Sequence, residues 1–199
     1  PCDCVIVGLD GGLDTWAPEI KPVMCISGIN HGPNLAVDVL HSGTVSAARE
    51  SCLYGLPALS VSLATYEHIN FLDMIEGAIQ VIESCVDILP KVPVNLLRGK
   101  GVSQMPDISG SIDSIRQHFA DANIFLNLNA PNEWNGKFTT TSLGSRWYHN
   151  AIEMSESENG GVLYRVGAAN IEDENIEGSD CNAVNSCQLS ITPLSAWPT

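Results

Sequence analysis

Basic side chains are scarce in this chain. Nine lysines and arginines face 23 aspartates and glutamates over 199 residues, a formal net charge of −14. A surface of that sign repels nucleic acid and anionic membranes, so neither is expected as a partner. Long apolar runs are missing as well; none approaches the roughly 18 residues a membrane-spanning helix needs. The seven cysteines contain no CxxC pair, which argues against a structural zinc site. Cys25 in an apolar run, and Cys52 and Cys85 on apolar helical faces, read as small buried hydrophobes in a reducing, intracellular compartment. No GxGxxG is present, and Gly8-Leu9-Asp10-Gly11-Gly12 has the wrong spacing for one, which counts against a dinucleotide oxidoreductase. There is no GxxxxGK[ST] and no GxSxG, which disfavours a P-loop enzyme and a serine hydrolase. The first residue is Pro1 and not methionine, so a preceding segment is expected, together with any targeting signal it carries.

What is present suits one globular domain. Hydrophobic residues make up 44% of the chain, enough for an ordinary core. The pattern suggests a helix from Pro1 towards Leu13, then a buried strand over Val23–Ser27 stopped by Gly28. Gly28 to Asn34 has every local signal of a loop. A helix follows from Thr44 to Tyr54 with Val45, Ala48 and Cys52 on one side, and then a strand over Ala58–Leu63. Asn70 can cap a helix running to about Leu89, with Phe71, Ile75, Ile79, Ile82 and Val86 inward. The stretch 91–121 offers one short helix near Ile112 to Phe119, and Ile124–Asn129 alternates like a strand. Strand, helix, strand, helix in this order is the mark of a parallel sheet covered on both faces, an α/β fold. Phe138–Leu143, Val162–Val166 and Gln188–Thr192 are further strand candidates. The expected organisation is a single domain over 1–199, with a core to about 130 and a strand- and loop-rich extension over about 131–199. The acids from Glu153 to Asp180 read as a solvated surface loop.

The stretch that carries chemistry is Ser27 to Glu50, SGINHGPNLAVDVLHSGTVSAARE. It places a Gly/Asn-rich loop beyond the carboxyl end of a strand, where open α/β sheets bind ligands. Asn30 and Asn34 offer amide groups, and a carboxamide oxygen such as that of Asn30 can ligate a hard cation; either one alone is more often a turn residue. Ser42-Gly43-Thr44 opens a helix, whose free N–H groups and two hydroxyls make an anion site, while Gly43 allows close approach to the backbone. Ser42 or Thr44 can also be an ordinary helix cap. His31 reads as a solvent-facing loop histidine or a substrate-edge group, and His41 as a neighbour of Ser42 with a small claim to act as a base. Lysine and arginine are absent from Ser27 to Ala48, so a bound phosphate would rest on amides, hydroxyls and a cation.

Those residues resemble the signature of the SurE survival-protein family of metal-dependent nucleoside monophosphate phosphatases. The resemblance extends to Pro1-Cys2-Asp3-Cys4-Val5, Gly55 to Leu63, Phe125 to Pro131, Gly178-Ser179-Asp180 and Ser190 to Leu194, in order along nearly the whole chain. It implies a Rossmann-like α/β/α sandwich whose extension assembles a homodimer or homotetramer. It implies a divalent magnesium or manganese ion held here by Asn30, and a phosphate contacted by Asn34, Ser42, Gly43 and Thr44. The family's paired catalytic aspartates have no match in this chain and are expected upstream of Pro1. Asp38 matches a recurrent family acid near the site and is assigned no catalytic role. The implied activity is 5′-nucleotidase hydrolysis of nucleoside monophosphates in the cytoplasm, with a plastid left open by the chain start. A phosphate- or nucleotide-binding remnant without turnover is the alternative. Ala36, His41 and Ser186-Cys187 depart from the family pattern, which bears on nucleobase preference and local packing.

Overall fold

The computed structural model describes residues 1–67, 70–91, 111–167 and 170–197. Helix α1 (Cys2–Val7) opens the chain, with Asp3 in its first turn. Gly11, at φ 105°, ends the regular winding, and the chain resumes as a short α2 (Leu13–Trp16). Strand β1 (Cys25–His31) is longer than expected and absorbs half of the anticipated loop. Its pairing with the next strand shifts between Ser27 and Asn30. Gly28 makes this possible: a Cβ there would run into the carbonyl oxygen of Val61 on the neighbouring strand. The Asn30 side chain is therefore presented from the end of a strand and not from a free loop.

A 3-10 turn over Ala36–Leu40 leads to α3 (Gly43–Leu53), where Val45, Ala48 and Cys52 are buried as the spacing predicts. Strand β2 (Ala58–Leu63) follows and is buried throughout. Helix α4 (Leu72–Cys85) stops short of Leu89, and Asn70 Oδ1 accepts the Leu72 N–H at its start. Its inward face is not the one expected. Met74, Gly77, Ala78, Val81 and Cys85 are buried, whereas Ile75, Ile79 and Val86 are exposed and only Phe71 and Ile82 pack against the core from the expected set. Both faces carry apolar residues, and Gly77 settles the phase because Leu189 fills the space a side chain would need. Helix α5 (Ile112–Ala120) and strand β3 (Ile124–Ala130) fall where expected, while residues 92–110 of the intervening stretch lie outside the described residues.

The chain then leaves the sheet and returns. It passes through β4 (Phe138–Thr140), β5 (Arg146–His149), β6 (Ile152–Glu156), β7 (Val162–Val166), β8 (Asn170–Asp173), α6 (Asp180–Asn185) and β9 (Leu189–Ser195). The main sheet has the order β1-β2-β3-β9-β4. β1, β2 and β3 are parallel, β9 is antiparallel to β3, and β4 is parallel to β9. β4 and β9 thus complete the core sheet, α6 packs against β9, and strands β5 to β8 lie outside the sheet. There β5 pairs with β8 and β6 with β7, so three of these four strands, β5, β6 and β8, arise where no strand was expected. The acidic stretch is correspondingly structured, and Asp180 is fully buried.

Helix α3 packs on one face of the sheet, around Ala58 and Phe125, and α4 and α5 pack on the other, around Leu59, Val61, Leu126 and Leu128. This is the α/β/α sandwich, mostly parallel, that the sequence implies. Fully burying a side chain such as Met74 stabilises it by roughly 1.5–3 kcal/mol. Among the described residues no helix is long and apolar enough to cross a membrane.

Candidate active site

The sheet face under α3 carries polar groups where a core is usually apolar. Ser60, Ser62, Asn127 and Asn129 alternate with leucines and valines on β2 and β3, and all are fully buried. Buried polar groups must be paired, and these converge on one residue beyond β1. Asn34 donates its backbone N–H to Asn129 Oδ1 at 2.8 Å, and its carbonyl accepts Asn127 Nδ2 at 2.8 Å and Asn129 Nδ2 at 3.0 Å. Its side-chain amide donates to Ser62 Oγ at 2.7 Å, and Ser60 Oγ donates to Asn127 Oδ1 at 2.8 Å. The loop is thereby bolted to the carboxyl end of the sheet.

A cleft of about 610 Å³ opens beside it. Asn30, Asn34, Asp38, His41 and Ser42 line its polar side, and Pro33, Tyr66, Tyr148, Val166 and Ile171 its apolar side. The apolar wall draws on the chain beyond β4, so both halves of the protein build the cleft. Of the expected site residues, Asn30, Asn34 and Ser42 meet here. Gly43 and Thr44 follow in the first turn of α3 but do not line the cleft. The space a side chain at Gly43 would fill is occupied by Pro1. Ser42 is the N-cap of α3, its Oγ accepting the Val45 N–H at 3.1 Å. The opening N–H groups of a helix have no intrahelical acceptor, and the start of α3 at Ser42 lies at the edge of the cleft. His31 is exposed, edge-on to Phe71 with ring centroids 6.0 Å apart, and is not among the cleft residues.

Asn30 Nδ2 donates to the Gly32 carbonyl at 2.9 Å, which leaves its Oδ1 for another partner. A hard cation would suit that oxygen. Among the described residues no three histidine, cysteine or carboxylate side chains gather in a metal-binding group, so Asn30 is one fitting donor and not a whole ligand set.

Sequence reasoning missed a second polar cluster. Asp38 is buried; its Oδ2 accepts the Leu35 N–H at 3.1 Å and Arg146 Nη1 at 2.9 Å, and its Oδ1 accepts the Tyr148 hydroxyl. Arg146 also holds Asp173 through Nε at 2.7 Å and Nη2 at 2.9 Å. Burial works against the Arg146 charge, but Asp173 and then Asp38 more than compensate and keep it firmly protonated. Burial, then the bond to Asp38, pushes the Tyr148 phenol above its ordinary value. Asp180 completes the frame, its Oδ2 accepting the Ala36 N–H at 2.9 Å and its Oδ1 the Gly144 and Cys181 N–H groups at 2.8 Å.

A mostly parallel sandwich with its loop, helix start and cleft beyond the strand ends is the ligand-binding arrangement of open α/β proteins. The comparison with known proteins narrows this class. The model of one family, described as Survival protein SurE, matches residues 1–150. A 5′-nucleotidase SurE of Laribacter hongkongensis is 36% identical over 201 residues, covering 98% of this chain and 66% of its own length. That of Desulforamulus reducens is 33% identical over 197 residues, covering 98% of this chain and 64% of its own. The crystal structure of a SurE protein from Aquifex aeolicus superposes with a TM-score of 0.64 at 26% identity, over 100% of this chain and 68% of that one. The chain belongs to the SurE family, and spans just under two thirds of the length of these two curated relatives.

Proposed function

We propose that this chain forms the phosphate-binding part of a divalent-metal-dependent 5′-nucleotidase that hydrolyses nucleoside 5′-monophosphates to nucleoside and phosphate. The observation that carries the reading is the cleft, with Asn30, Asn34 and Ser42 on its polar side and Tyr66 and Tyr148 on its apolar side. An anion fits the first group and a planar, weakly polar leaving group fits the second. In this reading Asn30 is a ligand for one magnesium or manganese ion, Asn34 and Ser42 meet the phosphate from the cleft wall, and Gly43 and Thr44 reach it through the first turn of α3. A divalent ion bound there neutralises phosphoryl oxygens. This chain's residues bind and orient the substrate: α3 presents N–H groups to the anion, and the polar groups on β2 and β3 hold Asn34 in place against the sheet. The relatives named 5′-nucleotidase SurE support the assignment.

Ile152, Met154, Val162, Tyr164 and Val166 share one exposed face of the β6–β7 hairpin, which supports assembly as a homodimer or homotetramer. Seven free cysteines suit the cytoplasm. A phosphate- or nucleotide-binding role without turnover has one observation in its favour, the lack of a gathered ligand set among the described residues. Phosphate release from adenosine 5′-monophosphate, by the protein in its natural full length, decides between them. Release with magnesium or manganese that stops on chelation is the expected result. Release that survives chelation, or none under any condition, overturns the nucleotidase.

A further inference from the structure

We propose that Arg146 is a positioning residue for the phosphate pocket, acting through Asp38, and that it makes the chain beyond β4 part of the catalytic apparatus. The inference rests on the phosphoester reading of the cleft. Its starting point is a charge problem. From Ser27 to Ala48 the chain has no lysine or arginine, yet it carries Asp38, a buried acid that lines the same cleft as Asn34 and Ser42. An uncompensated carboxylate there would repel a phosphate.

Arg146 answers this from a distant part of the sequence. Its side chain is 6% exposed and lies between Asp38 and Asp173. Asp173 alone supplies the two-pronged bond that a buried guanidinium requires, through Nε and Nη2. The remaining Nη1 goes to Asp38 at 2.9 Å, on the same Oδ2 that accepts the Leu35 N–H at 3.1 Å. Leu35 follows Asn34 directly, and the 3-10 turn that bears Asp38 ends one residue before His41 and Ser42. One guanidinium, shared with Asp173, thus screens the acid that lines the cleft and fixes the loop that shapes the pocket. It also ties that loop to β5 and β8, because Asp173 ends β8 opposite Arg146 in the pairing. The Tyr148 hydroxyl on Asp38 Oδ1 adds a second tie from the same strand.

The test compares the full-length protein with Arg146→Met, which keeps the bulk without the charge, and Arg146→Lys, which keeps the charge without the fork. In Arg146→Met the KM for adenosine 5′-monophosphate and the inhibition constant of inorganic phosphate are each expected to rise about 10- to 100-fold, with kcat changed far less. Arg146→Lys keeps a positive charge between Asp38 and Asp173 and is expected to recover part of both. Hydrogen exchange gives a second measure: Arg146→Met should lose protection over residues 34–42 while β2 and β3 keep theirs. A variant with wild-type KM and phosphate inhibition, or one that loses kcat alone, overturns the proposal, since a purely structural residue lowers the active fraction and leaves KM where it was. If the wild-type protein has no turnover at all, the nucleotidase reading fails, and the exchange arm still judges Arg146: unchanged protection over 34–42 defeats it.

Discussion

At the scale of single residues, the chemistry near the cleft depends on acids that the fold removes from water. Asp173 is the clearest case. Burial alone would raise its pKa, but the hydrogen bonds and charge of Arg146 outweigh that, and the carboxyl is held below its ordinary value of 3.8. A depressed folded pKa means that the carboxylate stabilises the fold at all pH values above the unfolded value. That contribution disappears as pH falls through the folded value. The stability difference between wild type and Asp173→Asn should therefore stay constant from pH 7 to about 4 and shrink below it. Urea midpoints at pH 7, 4 and 3 measure it, and a difference that does not change over this range would remove the ion pair as its source. The same scale shows where sequence reading ran short. That Asn30, Asn34 and Ser42 lie together was legible because their types and spacing belong to a local motif. Arg146 and Asp38 are 108 positions apart, and only the folded sheet brings them together. Asp173 and Asp180 lay in an acidic stretch that averages to a solvated loop, although Asp180 accepts three backbone N–H groups in the interior. Asn127 and Asn129 gave a strand signal and were not seen as site residues, because alternation says which residues share a face but not which layer covers it.

At the scale of elements, the α/β order, β2, α3, α5 and β3 could be read from the chain because each is a run of one period with a clear stop. Helix α4 could be read as a helix but not in its rotation. It has apolar residues on two adjacent faces, and hydrophobic periodicity cannot choose between them; the choice comes from Leu189, which needs the gap left by Gly77. The two faces should differ sharply when truncated. Met74 is fully buried, and Met74→Ala is expected to cost about 2–5 kcal/mol of stability. Ile75 is 41% exposed, and Ile75→Ala should cost less than about 1 kcal/mol, in the range of surface changes. Denaturant unfolding of both variants measures this. Equal losses, or the reverse order, would mean that the helix is turned the other way. β5, β6 and β8 escaped notice because charged and polar residues interrupt each of them, whereas β7, equally short and exposed, has Val162, Leu163, Tyr164 and Val166 to mark it.

At the scale of the whole molecule, the β6–β7 hairpin has an unequal pair of faces. Opposite residues in an antiparallel pair share a face. One face gathers Ile152 with Val166, Met154 with Tyr164, and Val162 beside Glu156; the other has Glu153 with Arg165 and Ser155 with Leu163. The apolar members are open to solvent, from 58% for Val162 to 77% for Val166. A two-stranded hairpin is marginal in water by itself, and its apolar face gains most from being covered. In the homo-oligomer proposed above a second copy of the chain would supply a matching face by symmetry, and a stable contact of that kind buries roughly 1,200–2,000 Å². Met154→Glu places a charge at the centre of this face and should convert the proposed oligomer to monomers without loosening the core sheet. Glu153→Ala, on the opposite face, should leave assembly unchanged. Light scattering after size exclusion gives the masses, and hydrogen exchange of β2 and β3 reports on the core. Because Val166 also lines the cleft, dissociation by Met154→Glu is expected to raise the KM for a nucleotide as well. A wild-type protein that is monomeric at micromolar concentration, or a Met154→Glu protein of unchanged mass, would show that this face is covered by something other than a second copy.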